Sequence, residues 1–183
     1  MRLVCLFLIL ATVASPIALA LEKEEIEALL KKPHSRENLV PELGIYADMR
    51  KFSIEITFHP VNGEPGVADV IIGKEKVVDG KYIVSEVETP AGKIVMVVHY
   101  DRKRGLYLKH VLSPENEVHI AHGISPKGSR AIAWIQKAED FGAVRHHVLE
   151  QHTDEGVTWT EILQVDDEVV NVTRGTARKI DDK

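Results

Sequence analysis

Cysteine is almost missing from this chain of 183 residues: the single one, Cys5, sits in the first apolar stretch. Beyond it there is no thiol to form a disulfide, hold a metal or act as nucleophile. A second long apolar run is missing too. After Val13 no segment is apolar enough to cross a bilayer, which takes about 20 such residues. Positive charge is scarce. Of the 23 Lys+Arg only Arg2 precedes residue 21, so the remainder carries 22 basic residues against 28 acidic ones. That balance argues against general nucleic-acid binding, which needs a basic face. The chain contains no Gly-rich phosphate loop and no His spacing of the short metal-binding kinds. Ser85, Ser113 and Ser129 lie in no nucleophile-elbow context.

What is present begins with an export signal. Met1-Arg2 leads into an apolar run from Leu3 to Val13, and the stretch closes on Ala18-Leu19-Ala20. A positive start, a short apolar segment and an A-x-A site are the marks of a cleaved secretory leader. Residues 1–20 are therefore expected to be a signal peptide, and the protein secreted or periplasmic. The remainder is long enough to fold on a core alone, since a domain of this size buries roughly 70% of its unfolded surface.

Residues 21–51 read as a helix and a connection. Ile26, Leu29 and Leu30 fall at helical spacing, Glu22, Glu24 and Glu25 suit the helix start, and Pro33 stops it. The apolar stripe is narrow, which fits a solvated lead-in. From Phe52 to Ile180 the pattern changes to short β-branched and aromatic runs broken by turns every 8–12 residues, the signature of an all-β sandwich or barrel. Phe52, Ile54, Ile56 and Phe58 alternate with polar residues, and Asp79-Gly80 is a hairpin signal. Further turns fall at 90–92, 101–105, 113–116, 125–128, 138–142, 153–156 and 166–167. About nine or ten strands with short connections make an antiparallel meander, and only closure removes its edges. The expected fold is all-β, an antiparallel up-and-down barrel with a short N-terminal helix.

Turn length sets register, and register decides which residues share a face. The turn at 153–156 pairs His146 with Glu161 and Val148 with Trp159. The turn at 138–142 pairs Ile135 with Val144 and Ala133 with His146. The turn at 166–167 pairs Leu163 with Val170 and Glu161 with Val172. This assigns Ile135, Val148, Trp159, Leu163, Val170 and Val172 to the interior, and Asn171 and Thr173 to the outside. Upstream, Ile83 and Val87 share a face with Ile94, Met96 and Val98. Across 101–105, Val98 pairs with Leu108 and Met96 with His110. An odd loop or bulge is expected near 113–117, because the alternative sets apolar residues opposite Lys109. Leu108 and His110 then share their face with Ile120 and His122.

The interior so assigned carries His110, His122, His146 and Glu161, together with Trp159 and Met96, and with Tyr100 near a rim. Ala131 and Ala133 leave room beside His146 and Glu161. An apolar cavity with a few placed polar groups is what a small-molecule site looks like. A His beside a carboxylate favours its charged form and could hold a ligand or act as an acid–base pair. Equally, two buried polar groups often do no more than satisfy each other. No metal or cofactor is expected; a metal or haem held by His110, His122 and His146 is the alternative. The expected partner is a small hydrophobic or amphipathic molecule. The rival roles are an acid–base enzyme using His146 and Glu161, and an interaction module working through the helix or an outer Trp134–Leu149 strip.

The segments Val78-Asp79-Gly80-Lys81-Tyr82-Ile83, His99-Tyr100-Asp101 and Gly105-Leu106-Tyr107 resemble the core of a family of uncharacterised bacterial exported proteins similar in architecture to the calycins, that is, the lipocalins and fatty-acid-binding proteins. The resemblance spans roughly Phe52 to Ile180. It implies an up-and-down barrel and, by analogy, a small apolar ligand, and it carries over no catalytic residue. The leader makes a direct prediction: the protein recovered from its native host should begin at Leu21 on N-terminal sequencing, and a chain beginning at Met1 would discard the signal.

Overall fold

A computed structural model of the chain describes residues 21–180 apart from 69, 139–143 and 166–167, with side chains also left aside at 137, 138, 144 and 145. The leader expected at 1–20 and most of the turns expected at 138–142 and 166–167 lie outside the described residues. A helix, α1 (Lys23–Lys31), and a 3₁₀ turn (Pro41–Ile45) precede eleven strands. These are β1 (Lys51–Pro60), β2 (Gly66–Val67), β3 (Ile71–Val78), β4 (Tyr82–Thr89), β5 (Gly92–Asp101), β6 (Leu106–Leu112), β7 (Val118–Ile124), β8 (Ala131–Ala138), β9 (Val144–His152), β10 (Gly156–Val165) and β11 (Glu168–Lys179). Each strand from β3 onward pairs antiparallel with the next, and β11 returns to β1 from Phe52↔Lys179 to Pro60↔Asn171. Ten strands thus close an up-and-down barrel. β1 shares its other edge between β3, at Lys51 to Ile54, and the short β2, at Thr57 and Phe58.

The inner face is packed by an unusual device. Phe52 lies opposite Gly73, Trp134 opposite Gly123, and Trp159 opposite Gly175. In each pair the ring lies where a Cβ on the glycine would be, at 2.3, 2.6 and 2.0 Å respectively. Three large inward rings are accommodated because the facing strand has no side chain there. Such aromatic cover also offsets the loose packing that glycine brings to a strand.

The segment before the barrel is not a solvated lead-in. Ile26 and Leu29 are buried against Val84, Val95, Val97 and Leu112 on the outer wall, and each fully buried side chain of this size contributes about 1.5–3 kcal/mol. Lys76 Nζ donates to the carbonyls of Leu30 (2.5 Å) and Lys32 (2.7 Å), placing a cation at the negative end of α1. The connection then crosses beneath the barrel. Leu43 and Tyr46 pack with Val77, Ile83, Val98, Tyr107, Ile132 and Trp134 and fill that end, and Tyr107 Oη donates to the Glu42 carbonyl at 2.9 Å.

Three registers differ from expectation in a way that reverses a face. β8 pairs Trp134 with Val148 and Ile135 with His147, so Ile132 and Trp134 point inward while Ile135 is 50% exposed. The expected inward Ile135, the room beside Ala131 and Ala133, and the outer Trp134–Leu149 strip are all corrected by this three-residue change, which, being odd, reverses the face. A bulge at Leu163/Gln164 shifts β11, which turns Asn171, Thr173 and Ala177 inward and Val170 and Val172 outward. β6 pairs Val98 with Lys109 and Val97 with His110, which turns Lys109 inward and His110 outward.

Trp134 is buried and cannot swing aside, so Gly123→Ala should destabilise the barrel by about 1–3 kcal/mol, the usual cost of overpacking. Gly66→Ala, where an added Cβ meets nothing within 4 Å, serves as control. Urea denaturation that gave the two variants equal midpoints would contradict the ring-on-glycine account.

Candidate functional site

Above the filled end lies a cavity of about 500 Å³. Its walls are alternate residues of β1, β4, β5, β10 and β11, which a period of two brings to one face: Phe52, Ile54 and Ile56, then Val87, Met96, Val157 and Trp159. Exposure rises in one direction along several strands. On β1 it goes from Phe52 (3%) and Ile54 (7%) to Phe58 (39%), and on β4 the inward Ile83, Ser85 and Val87 are buried while Thr89 is half-buried. The mouth therefore lies at Phe58 and Thr89, and the floor rests on the packed end.

The floor is polar. Lys109 from β6 and Glu150 from β9 form an ion pair across the interior, with the Lys109 ammonium also 4.2 Å from the centre of the Trp134 ring. His152 Nε2 lies 3.2 Å from the other Glu150 oxygen, and the His152 ring meets Tyr46 edge-on at 4.6 Å. Burial acts to raise the Glu150 carboxyl, but Lys109 and His152 outweigh it and hold it down at about 2. Beside this network, directly opposed on β3 and β4, Ser85 Oγ donates to Glu75 Oε2 at 3.0 Å. Burial pushes the Glu75 carboxyl up to about 7, Asp48 adds to the rise, and the Ser85 hydroxyl, Arg36 and the Met49 N–H oppose it. The Tyr46 hydroxyl is buried with no hydrogen-bond partner among the described residues; burial foremost, with Glu150 and Glu75, raises it well above the usual phenol range.

The residues expected to form the site divide into three groups. Trp159, Met96 and Glu161 line the cavity. His146 joins them at the mouth: its Nδ1 is 2.9 Å from Glu161 Oε1, and both side chains are about 30% exposed. They are diagonal neighbours rather than opposed, because β9 and β10 pair Glu161 with Val148 and His146 with Leu163. The shift of two residues preserves the face and hence the contact. His110, His122 and Tyr100 lie elsewhere. Tyr100 packs on Tyr107 at the closed end. His122 is exposed on the outer wall.

His110 is wholly buried, but outside the barrel. Its Nε2 is 3.2 Å from that of His99, with ring planes 9° apart and centres 5.3 Å apart. The rings therefore meet edge to edge, one nitrogen donating and the other accepting. Burial foremost, with His99 and His122, lowers His110 to about 4. The three imidazoles offered as a metal or haem set stand on two sides of the wall and do not converge.

Sequence reading missed the floor itself. Lys109 was placed outside by the assumed 101–105 register. Glu150 and His152 share their face with Val148 on any register, and Glu75 shares its face with Ile71, Gly73 and Val77. A polar residue in step with an apolar series was the available signal.

Glu75 and His110 make opposite predictions for stability. Between about pH 4 and 6.5 the unfolded chain binds a proton at His110 that the folded chain does not, so stability rises with pH. Between about pH 4.5 and 7 the folded chain keeps a proton on Glu75 that the unfolded chain loses, so stability falls. Each slope is at most ~1.4 kcal/mol per pH unit, and in the intact protein they offset each other. Chemical denaturation from pH 5 to 6.5 should show stability climbing with pH in Glu75→Gln and declining in His110→Gln. Identical slopes in the two variants would refute both assignments.

No protein-family model matches the chain, and no curated protein matches it. Among solved structures it is similar to the ywiB protein from Bacillus subtilis, at 12% identity and a TM-score of 0.37, over 72% of this chain and 91% of that one.

Proposed function

We propose that this protein is an exported binder of a small amphipathic molecule, with the apolar body in the barrel and the polar end on its floor. One observation carries the reading: a cavity of about 500 Å³ with apolar walls, open at Phe58 and Thr89 and floored by Lys109, Glu150, His152, Glu75 and Tyr46. Ligand pockets run from about 300 to 1,000 Å³ and combine apolar walls with a few placed polar groups. An interior serving stability alone would be close-packed, since voids forfeit dispersion contacts. The leader expected from the sequence of residues 1–20 is consistent with a role outside the cytoplasm.

The mouth-to-floor arrangement supports entry with the polar end leading. Glu161 and His146 stand at the rim, where they can guide or retain a ligand but remain open to water. Binding is tested with Nile red, a neutral fluorophore that brightens in apolar surroundings. The protein should enhance its emission saturably, and Met96→Trp, which fills the cavity from β5, should weaken binding at least about tenfold while leaving the fold intact by circular dichroism. Equal binding by the variant would place the dye outside the barrel and remove the support for this function.

A further inference from the structure

Resting on the binding reading above, we propose that the cavity selects an amphiphile whose polar end is an aliphatic amine, seated with its nitrogen between Glu75 and Tyr46, and that it disfavours a carboxylate.

The charges lining the cavity support this. Among the described residues Lys109 is the only lysine or arginine that lines it, against the carboxylates Glu75, Glu150 and Glu161. Lys109 is already bound to Glu150 and lies over Trp134. A carboxylate entering tail-last would find no free cation and would face Glu75. An ammonium meets the reverse situation. Glu75 is buried, receives hydrogen bonds from Ser85 and Met49 only, and takes part in no ion pair among the described residues. The neighbouring Tyr46 hydroxyl has no partner and can accept from an N–H donor. A buried ionised carboxylate is costly without a counter-charge, and among the described residues no lysine or arginine pairs with Glu75; Arg36, which acts on it, is paired with Asp48.

Proton balance follows. Without ligand Glu75 retains its proton up to about pH 7, as a neutral acid hydrogen-bonded to Ser85. An alkylammonium ion brings its charge with it, Glu75 loses its proton to solvent, and the ligand nitrogen donates to the carboxylate. Asp48 and Arg36 act on Glu75 and are themselves paired at 3.8 Å; Tyr46, Lys109, Glu150 and His152 share its cavity, and Lys32, His34, Arg50, Lys74, Lys76 and Glu86 line a shallower pocket with it on the other side. Amine affinity should therefore rise with pH, by about tenfold from pH 6 to pH 8 by linkage.

The experiment is titration calorimetry of the whole mature chain with n-decylamine, n-decanol and n-decanoate, in two buffers of different ionisation enthalpy. Decylamine should bind at least about tenfold more tightly than the other two at pH 7.5, with proton release that grows as the pH falls to 6. In Glu75→Gln decylamine should drop to the affinity of decanol, while decanol is unchanged and reports an intact cavity. The three-way comparison on the unaltered protein stands even if that variant does not fold. Decanol binding as well as decylamine, or decanoate binding best, would overturn amine selection and leave the ligand-binding reading in place. Binding of none of the three would overturn the ligand-binding reading and the amine assignment together.

Discussion

Lys109 and Glu150 hold each other inside the barrel, and much of the arrangement follows from where that pair sits. A lysine can point into an apolar interior only if its charge is met there, since a lone buried ammonium is prohibitively expensive. Glu150 meets it from β9, His152 holds the second carboxylate oxygen, and the Trp134 ring covers the ammonium. With Lys109 inward, strand alternation turns Leu108, His110 and Leu112 outward. The outer wall there is consequently apolar, and α1 covers Leu112 and its neighbours with Ile26 and Leu29.

The same pair divides the interior. On one side Trp134 and Tyr107, with Leu43 and Tyr46 from the connection, make a packed plug. On the other side the inward residues grow more exposed toward an open mouth at Phe58 and Thr89. The rings of Phe52 and Trp159 lie flat over facing glycines, which keeps two large side chains against the wall instead of across the space. The cavity thus follows from how the rings are laid down, because each needs the missing Cβ opposite it.

The polar floor differs chemically from the rim. Glu150 is fully compensated and stays ionised, whereas Glu75 is buried beside it with hydrogen bonds but no ion pair. Two carboxyl groups in one cavity therefore carry different charge at neutral pH, a difference set by environment and not by residue type. His146 and Glu161 at the mouth remain partly exposed to water, which limits what their contact contributes to stability.

Much of the architecture was legible along the chain. Alternation in Phe52 to Phe58, the Asp79-Gly80 turn and the β4–β5 pairing of Ile83, Val87, Ile94, Met96 and Val98 follow from local rules, because side-chain period and short turns act over a few residues. The barrel, the helix before Pro33, and the shared face of His146, Glu161 and Trp159 were within that reach. The floor was not. One residue in the 101–105 turn, three in the register of β8 and one bulge in β11 each reverse a whole strand, and turn composition does not count residues that finely. What decided among the registers was non-local: Glu150, forty-one positions away, made an inward Lys109 tolerable, and Gly73, Gly123 and Gly175 made room for rings on other strands. Sequence alone determined where strands begin and turn, because those choices are local and steric. Tertiary structure decided which face each strand shows to the cavity, because charge and volume are balanced only when distant strands meet.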